Sequence, residues 1–480
     1  MADVDEKVKD DSVSKDRIPD LVRIGEIPSE YGQTLTTDII DPATKSQTRA
    51  RFTLNRVGGF LHSNSKITLG VVPQTNTSAF YPLQVGVGQL IQAAELRVGN
   101  KTVCAIDDFS SLHAYHSLFL TNENNKEREQ YLSQRCINHG AYYTRGSDSS
   151  ADGYGLELGR NPVVNGAGLI ATELLPFQQH DGTSAQTISE APIYSIYLSD
   201  LFPFLKFNQL PAFMIHDEIH VDLTFCDPLT TLAGVQQSKN MCVSGAAAAN
   251  NLSYQIDLDE LKMIYDSISY DGEVMRKYAE QNKELSFSYV DYRLAKRTQG
   301  NGGFDSFSFN IGGNGRLVSK VIAGCTPHSN YVSGSLLQGD GCSKAAVSVN
   351  ADPLSINMTY NDRDEFPVDR SNYATIFHTT QQAEGQVPFV SRQEYSGEAP
   401  TVLTNGTFEG HDQRVDASGL LGNFGWVAVR PNRNERINNK GIDFQFDTND
   451  LPAGNYTLRV YLELLKVATV KDGVFDCYFA

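Results

Sequence analysis

Apolar and polar residues alternate with a period of two along much of this chain, most clearly between Phe213 and Phe225. Phe213, Ile215, Ile219, Val221, Leu223 and Phe225 are apolar, and His216, Glu218, His220, Asp222 and Thr224 are polar. Only Asp217 breaks the apolar series. Such alternation predicts a strand with one face on a core and the other in water or at an interface. Further strands are predicted at Arg51–Val57, Lys66–Val72, Ile256–Ile268, Leu285–Val290, Gly441–Phe446, Asn455–Leu462 and Gly473–Phe479. Ala94–Val98 and Lys101–Ile106 flank Gly99-Asn100. A two-residue loop with Gly first predicts a type II′ hairpin. Phe307–Ile311 and Leu317–Ile322 read as a second hairpin across Gly312-Gly313-Asn314-Gly315. Helical spacing is confined to two stretches: Ser110 to about Arg135, where Leu112, Tyr115, Leu118 and Phe119 recur, and Gly272 to about Lys283.

A chain of 480 residues is too long for one ordinary core, so two domains are expected. The first 45 residues are expected to form a flexible arm, mostly charged up to about residue 20, and a lead-in. Residues 46–228 form a first β-sandwich, and 229–255 a linker containing the small-residue run Ser244–Asn251. A second β-sandwich takes residues 256–480. Stretches rich in Gly, Ser, Asn and Asp at 140–170 and 325–420 predict long exposed loops. The class is all-β: two sandwiches in tandem, with short helices and long loop insertions.

A net charge of −17 repels phosphate backbones and excludes a primary role in binding nucleic acid. Cys104, Cys136, Cys226, Cys242, Cys325, Cys342 and Cys477 form no C-x-x-C pair, so neither a disulfide framework nor a zinc knuckle is indicated. The acidic start, Met1-Ala2-Asp3-Val4-Asp5-Glu6-Lys7, lacks the regions of a signal peptide, and no apolar run is long enough for a bilayer. The protein is therefore expected to be made in a reducing cytoplasm or nucleus and not secreted. The sequons at Asn76, Asn251, Asn357, Asn405 and Asn455 are then chance matches.

Candidate chemistry is sparse. His216, Glu218 and His220 share one face of the predicted strand, but their spacing is not that of a helical H-E-x-x-H site, and a polar interface face is the better reading. His113 and His116 lie in a helical stretch with no carboxylate or Cys nearby in sequence. Gly312–Gly315 lacks the Lys-[Ser/Thr] ending of a phosphate loop. Asp257, Asp259 and Glu260 read as solvated charge. No nucleophile elbow is present. No residue is nominated as catalytic, cofactor-binding or metal-ligating, and no cofactor is expected.

Two regions carry a resemblance. Leu201-Phe202-Pro203-Phe204-Leu205-Lys206-Phe207, then Leu210-Pro211-Ala212-Phe213, then Ile219-His220-Val221-Asp222-Leu223, resembles the end of the first jelly roll in double jelly-roll major capsid proteins of eukaryotic double-stranded DNA viruses. Tyr265–Asp271, Met275–Asn282 and Leu317–Ile322 resemble the opening of the second. The relatives in question are Polinton-like viruses, virophages and nucleocytoplasmic large DNA viruses. Large-virus members have a Trp-richer signature, and the single Trp426 tells against that branch. The resemblance implies two eight-stranded jelly rolls, no enzymatic activity, and homotrimeric pseudo-hexagonal capsomers tiling an icosahedral virion shell. It implies neighbouring capsomers, penton and minor capsid proteins as partners, outward-facing loops, and no sequence-specific nucleic acid. An internal membrane beneath the shell is left open. The alternative is a jelly-roll protein that binds or cleaves carbohydrate, which a chain with one Trp fits poorly.

Overall fold

The computed structural model describes residues 33–54, 58–73, 79–80, 85–117, 119, 132–133, 163–165, 168–170, 193–226, 229–232, 235–238, 242–243, 254–299, 306–327, 355–364, 373–385, 426–431, 435–447 and 456–480. Strands β1 (Gln33–Ile40), β2 (Arg49–Leu54), β3 (Lys66–Leu69), β4 (Ile91–Val98), β5 (Lys101–Asp107), β6 (Tyr194–Tyr197), β7 (Ile219–Phe225) and β8 (Lys262–Tyr270) build a first sandwich. One sheet has the order β1-β8-β3-β6, with Phe60–Leu61 also on β8. The other runs from Thr44–Lys45 through β2, β7, β4 and β5.

The alternation in sequence explains the packing. Ala50, Phe52 and Leu54 on β2, Ile219, Val221, Leu223 and Phe225 on β7, and Ala94, Leu96 and Val98 on β4 are all buried in one cluster. β7 is central, antiparallel to β2 on one side and to β4 on the other. The polar residues between these positions pair across strands: Arg51 holds both oxygens of Asp222, at 2.5 and 3.0 Å. The β4–β5 hairpin turns as predicted. Gly99 has φ +55° while Asn100 does not enter the positive-φ region, which fits a type II′ turn.

The second sandwich comprises β9 (Glu284–Gln299), β10 (Ser306–Ile311), β11 (Val318–Pro327), β12 (Ser355–Tyr360), β13 (Val427–Val429), β14 (Ile442–Asp447), β15 (Tyr456–Lys471) and β16 (Val474–Phe479). Its sheets are β9-β15-β11-β13, with β16 on β15, and β10-β14-β12, with Arg363–Asp364 beyond β12. β9 and β15 pair along their whole length, from Glu284 opposite Lys471 to Gln299 opposite Tyr456. At the usual strand rise that ladder is about 50 Å long. Four helices matter below: α1 (Phe109–Ser117), α2 (Pro203–Phe207), α3 (Gly272–Gln281) and α4 (Tyr373–Glu384). The Asp271 side chain caps α3 by accepting the Glu273 N–H at 2.9 Å.

Several expectations change. Residues 33–40, expected within the arm and lead-in, form β1, which pairs with β8 from Gln33 opposite Tyr270 to Ile40 opposite Met263. β8 was expected to open the second sandwich, yet it hydrogen-bonds to β1 and β3 and completes a sheet of the first. Alternation marks a strand but is silent about its partner, and here the partner β1 lies more than 200 residues away in sequence. The Phe213–Phe225 strand begins only at Ile219, because Ala212–Met214 is a 3-10 turn behind Pro211. Phe307–Ile311 and Leu317–Ile322 are not a hairpin. β10 and β11 belong to different sheets, and the Gly312–Gly315 segment carries the chain between them, with Gly313 and Gly315 at φ +142° and +77°. α1 ends at Ser117, and most of the remaining predicted helix lies outside the described residues. So do the first 32 residues and most of 140–170 and 325–420. Within those two loop stretches a small hairpin (Val163–Asn165 with Gly168–Ile170), β12 and α4 are described.

Candidate functional site

The two sandwiches share a deep seam, and its chemistry starts from an exposed-edge problem. Among the described residues β5 is the last strand of its sheet, and one row of its backbone groups has no strand partner there. Side chains from the second sandwich take that place. The Lys466 ammonium donates to the carbonyls of Thr102 and Val103, both at 2.8 Å, and to Asp291 Oδ2 at 3.1 Å. Asp291 Oδ1 accepts the N–H of Ala105 at 3.2 Å and that of Tyr292 at 3.1 Å. The Tyr289 hydroxyl donates to Val103 O at 2.9 Å, and Cys477 Sγ to Thr102 O at 3.2 Å. A register shift between Leu96 and Arg97 in the β4–β5 ladder marks an irregularity at this point of β5.

A second contact sits where β5 gives way to α1. Asp108 adopts φ +51°, a region Asp tolerates better than most residues. Its carboxylate meets Arg459 Nε at 2.6 Å, and its backbone carbonyl accepts the Tyr461 hydroxyl at 2.8 Å. Arg459 and Tyr461 reach the seam because β15 is buried on both faces. Leu458, Val460, Leu462 and Leu464 fill the second sandwich, while Thr457, Arg459, Tyr461 and Glu463 are buried at the alternate positions.

A third cluster ties in α4. Lys320 on β11 lies 2.7 Å from Glu384 and 3.2 Å from Glu463. The Tyr292 hydroxyl donates to Glu463 at 2.9 Å and lies 3.3 Å from His116 Nε2, while the Tyr115 hydroxyl donates to Glu384. Trp426 packs beside Tyr115 and Tyr461. A Cβ on Gly324 would run into the Trp426 ring, so only glycine lets the indole lie against β11.

Burial shapes the titration of these groups. It pushes the Asp291 carboxyl up, against the opposing pull of Lys466 and two backbone N–H groups. Burial alone would lower the Lys320 ammonium, but Glu463 and Glu384 hold it above its ordinary value. Burial also raises the Cys104 thiol, and it raises the Tyr289, Tyr292 and Tyr461 hydroxyls, which keep their protons and donate. Apolar groups close the seam: Phe204 of α2 meets Phe287 and Tyr289 edge-on, with centroids 5.7 and 4.9 Å apart. The aromatic run at 201–207 therefore acts as a plug between the sandwiches.

The residues singled out from sequence are scattered. Of His216, Glu218 and His220, only His220 lies in β7, where it contacts Thr53 at 3.1 Å and Glu218 at 3.6 Å. His216 packs on Gly473 instead. Asp257 accepts the N–H groups of Asp259 and Glu260, at 3.1 and 3.2 Å, in a surface turn. His113 stacks on Phe109. Among the described residues no group of His, Cys, Asp and Glu is arranged to hold a metal ion. Nor is any described helix long and apolar enough to cross a membrane. Sequence reading passed over Asp108, Asp291, Lys320, Arg459, Glu463 and Lys466. The available signal was charge inside the longest strands: Arg459, Glu463 and Lys466 interrupt an otherwise apolar run in β15.

No protein-family model and no curated protein matches the chain. Solved structures do. A chain of the Sputnik virophage structure is 12% identical, with 96% of this chain and 92% of that one covered and a TM-score of 0.57. VP54 of PBCV-1, fitted into a reconstruction of the same virophage, is 10% identical, covering 95% and 99%, with a TM-score of 0.54. The Faustovirus major capsid protein is 8% identical, covering 95% and 93%, with a TM-score of 0.51. The chain has the double jelly-roll fold. At such identity the likeness concerns architecture, and it extends over both barrels.

Proposed function

We propose that this chain is a major capsid protein, whose activity is self-assembly and not catalysis. Copies associate as trimers, so that six barrels stand in a pseudo-hexagonal capsomer, and capsomers tile an icosahedral virion shell. Penton and minor capsid proteins are the other partners this reading expects. The observation that carries it is the seam. Lys466, Asp291 and Arg459 clamp the second barrel onto β5 and Asp108 of the first, which turns two sandwiches into one rigid tile. A tile must repeat the same angle in every copy, and directional charged hydrogen bonds fix an angle better than apolar contact does. The likeness over some 95% of the chain to capsid-protein structures supports the same reading.

The test is the mass of the purified protein by light scattering behind size exclusion, followed by electron microscopy. A stable species near three times 52.9 kDa that closes into shells under crowding or added salt is the expected result. A monomer at every concentration overturns the proposal.

A further inference from the structure

We infer that Lys320 and Glu384 condense to an amide within one chain, with Glu463 as the proton carrier. The bond fastens the C-terminal end of α4 to strand β11 and makes the cluster a site of self-modification. It stands apart from the capsid reading, and either can fail without the other.

Three features carry the inference. The first is composition. Lys466, the other buried lysine of the seam, has one carboxylate beside it among the described residues, Asp291. Lys320 has two, Glu384 at 2.7 Å and Glu463 at 3.2 Å. An ion pair needs no second carboxylate. A condensation does, because the ammonium must shed a proton before its nitrogen can attack. Glu384 and Glu463 both favour the ammonium, so the amine is the minor form, and one event per chain is all the bond requires.

The second feature is placement. Lys320 Nζ lies 2.7 Å from Glu384 Oε1, so it is at most one C–O bond length farther from Cδ, the atom it must reach. Lys320 and Glu463 stand opposite each other in the β11–β15 ladder, and Glu384 comes from α4, so three separate elements fix the three groups. Reactants held in this way gain the advantage of an intramolecular reaction. Hydroxyls hold the carboxylates as well. Tyr115 donates to the same Glu384 oxygen that Lys320 approaches, and Tyr292 donates to Glu463 at 2.9 Å. The third feature is dryness. The Lys320 side chain is 8% exposed and each glutamate 10%, which keeps out the water that would hydrolyse the amide.

The step balances. The ammonium gives a proton to Glu463, and the freed amine attacks Cδ of Glu384. A C–N bond forms, and Oε1 takes up negative charge beside the Tyr115 hydroxyl. Glu463 passes that proton, and a second from the nitrogen, to Oε2. The C–O bond then breaks, and Oε2 departs as water. One ammonium and one carboxylate become one amide and one water, and no oxidant or reductant takes part. The amide N–H then donates to Glu463, as the ammonium did.

The experiment is the intact mass of the full-length denatured chain, with peptide mapping. The wild type should be lighter than its sequence dictates by one water, and digestion should release a branched peptide joining Lys320 to Glu384. Lys320→Arg keeps the charge and Glu463→Gln keeps the acyl acceptor; both should show the full sequence mass, with a circular dichroism spectrum matching the wild type. Glu463→Asp, which retains a carboxylate, should recover part of the cross-link. A folded wild type at full sequence mass overturns the inference and leaves an ordinary ion cluster. A lost water without the branched peptide, or a branch at Glu463, overturns it too. Full cross-linking in Glu463→Gln overturns the role given to Glu463. None of these outcomes bears on the trimer, which light scattering decides.

Discussion

The interior of the second barrel and the seam between the barrels are equally buried but obey different rules. Inside the barrel, Val460, Leu462, Leu464, Phe444 and Met358 form a cluster without a charged side chain. On the other face of the same strand β15, Arg459 and Glu463 are buried too, each on a partner of opposite charge or a hydroxyl. The interior is held by apolar area, which is proportional and undirected, so it responds to volume. The seam is held by charged hydrogen bonds, whose attraction roughly offsets the desolvation of the ions, so it contributes geometry more than net stability. A sandwich needs only the first kind of contact to fold. Two sandwiches that must keep one mutual angle need the second.

The contrast breaks most visibly at Arg459. Arg459→Met leaves the Asp108 carboxylate buried without its cation, and the expected loss is about 3–5 kcal/mol in urea unfolding. Adding Asp108→Asn, which keeps the left-handed backbone at that position accessible, should restore part of the loss. If the single variant were as stable as the wild type, the seam would be a by-product of packing.

The interior should tolerate more. Leu462→Ile keeps volume and apolar character at a fully buried site, and the expected loss is under about 1.5 kcal/mol by the same measurement. A loss as large as that of Arg459→Met would mean that both faces of β15 demand exact shape, and the distinction drawn between them would fail.

The same division explains what could be read from the sequence. The alternation over Ile219–Phe225, the turn at Gly99 and the helix behind Asp271 are local, and each was legible because backbone conformation there follows from neighbouring residues. Which strand lies beside which is not local. β1 pairs with β8 across the whole first barrel, and nothing in Gln33–Ile40 names that partner. The crossing at Gly312–Gly315 looked like a hairpin because a glycine-rich turn is compatible with either path. The seam charges were hidden by a sound default: a charge in a strand usually marks the wet face. In β15 that default fails because the second face lies on the other barrel and not in water.

The exposed surface gives the smallest effect, and its pH dependence separates it from both buried regions. The Lys101 ammonium holds the Asp476 carboxyl below its ordinary value of 3.8, with help from the Cys477 N–H. A carboxyl whose folded pKa is depressed stabilises the fold above its unfolded pKa, and that stabilisation is lost as pH falls through the folded value. Both side chains are about half exposed, at 52% and 55%, so solvent and salt screen most of the attraction. Asp476→Asn should therefore lower the thermal midpoint by no more than roughly 1–2 °C at neutral pH. The difference should stay constant down to the ordinary carboxylate range and close below it. It should also shrink in high salt, whereas the loss in Arg459→Met, where the ions are shielded from solvent, should change little. A salt-insensitive Asp476→Asn effect would place this pair with the seam and not with the surface.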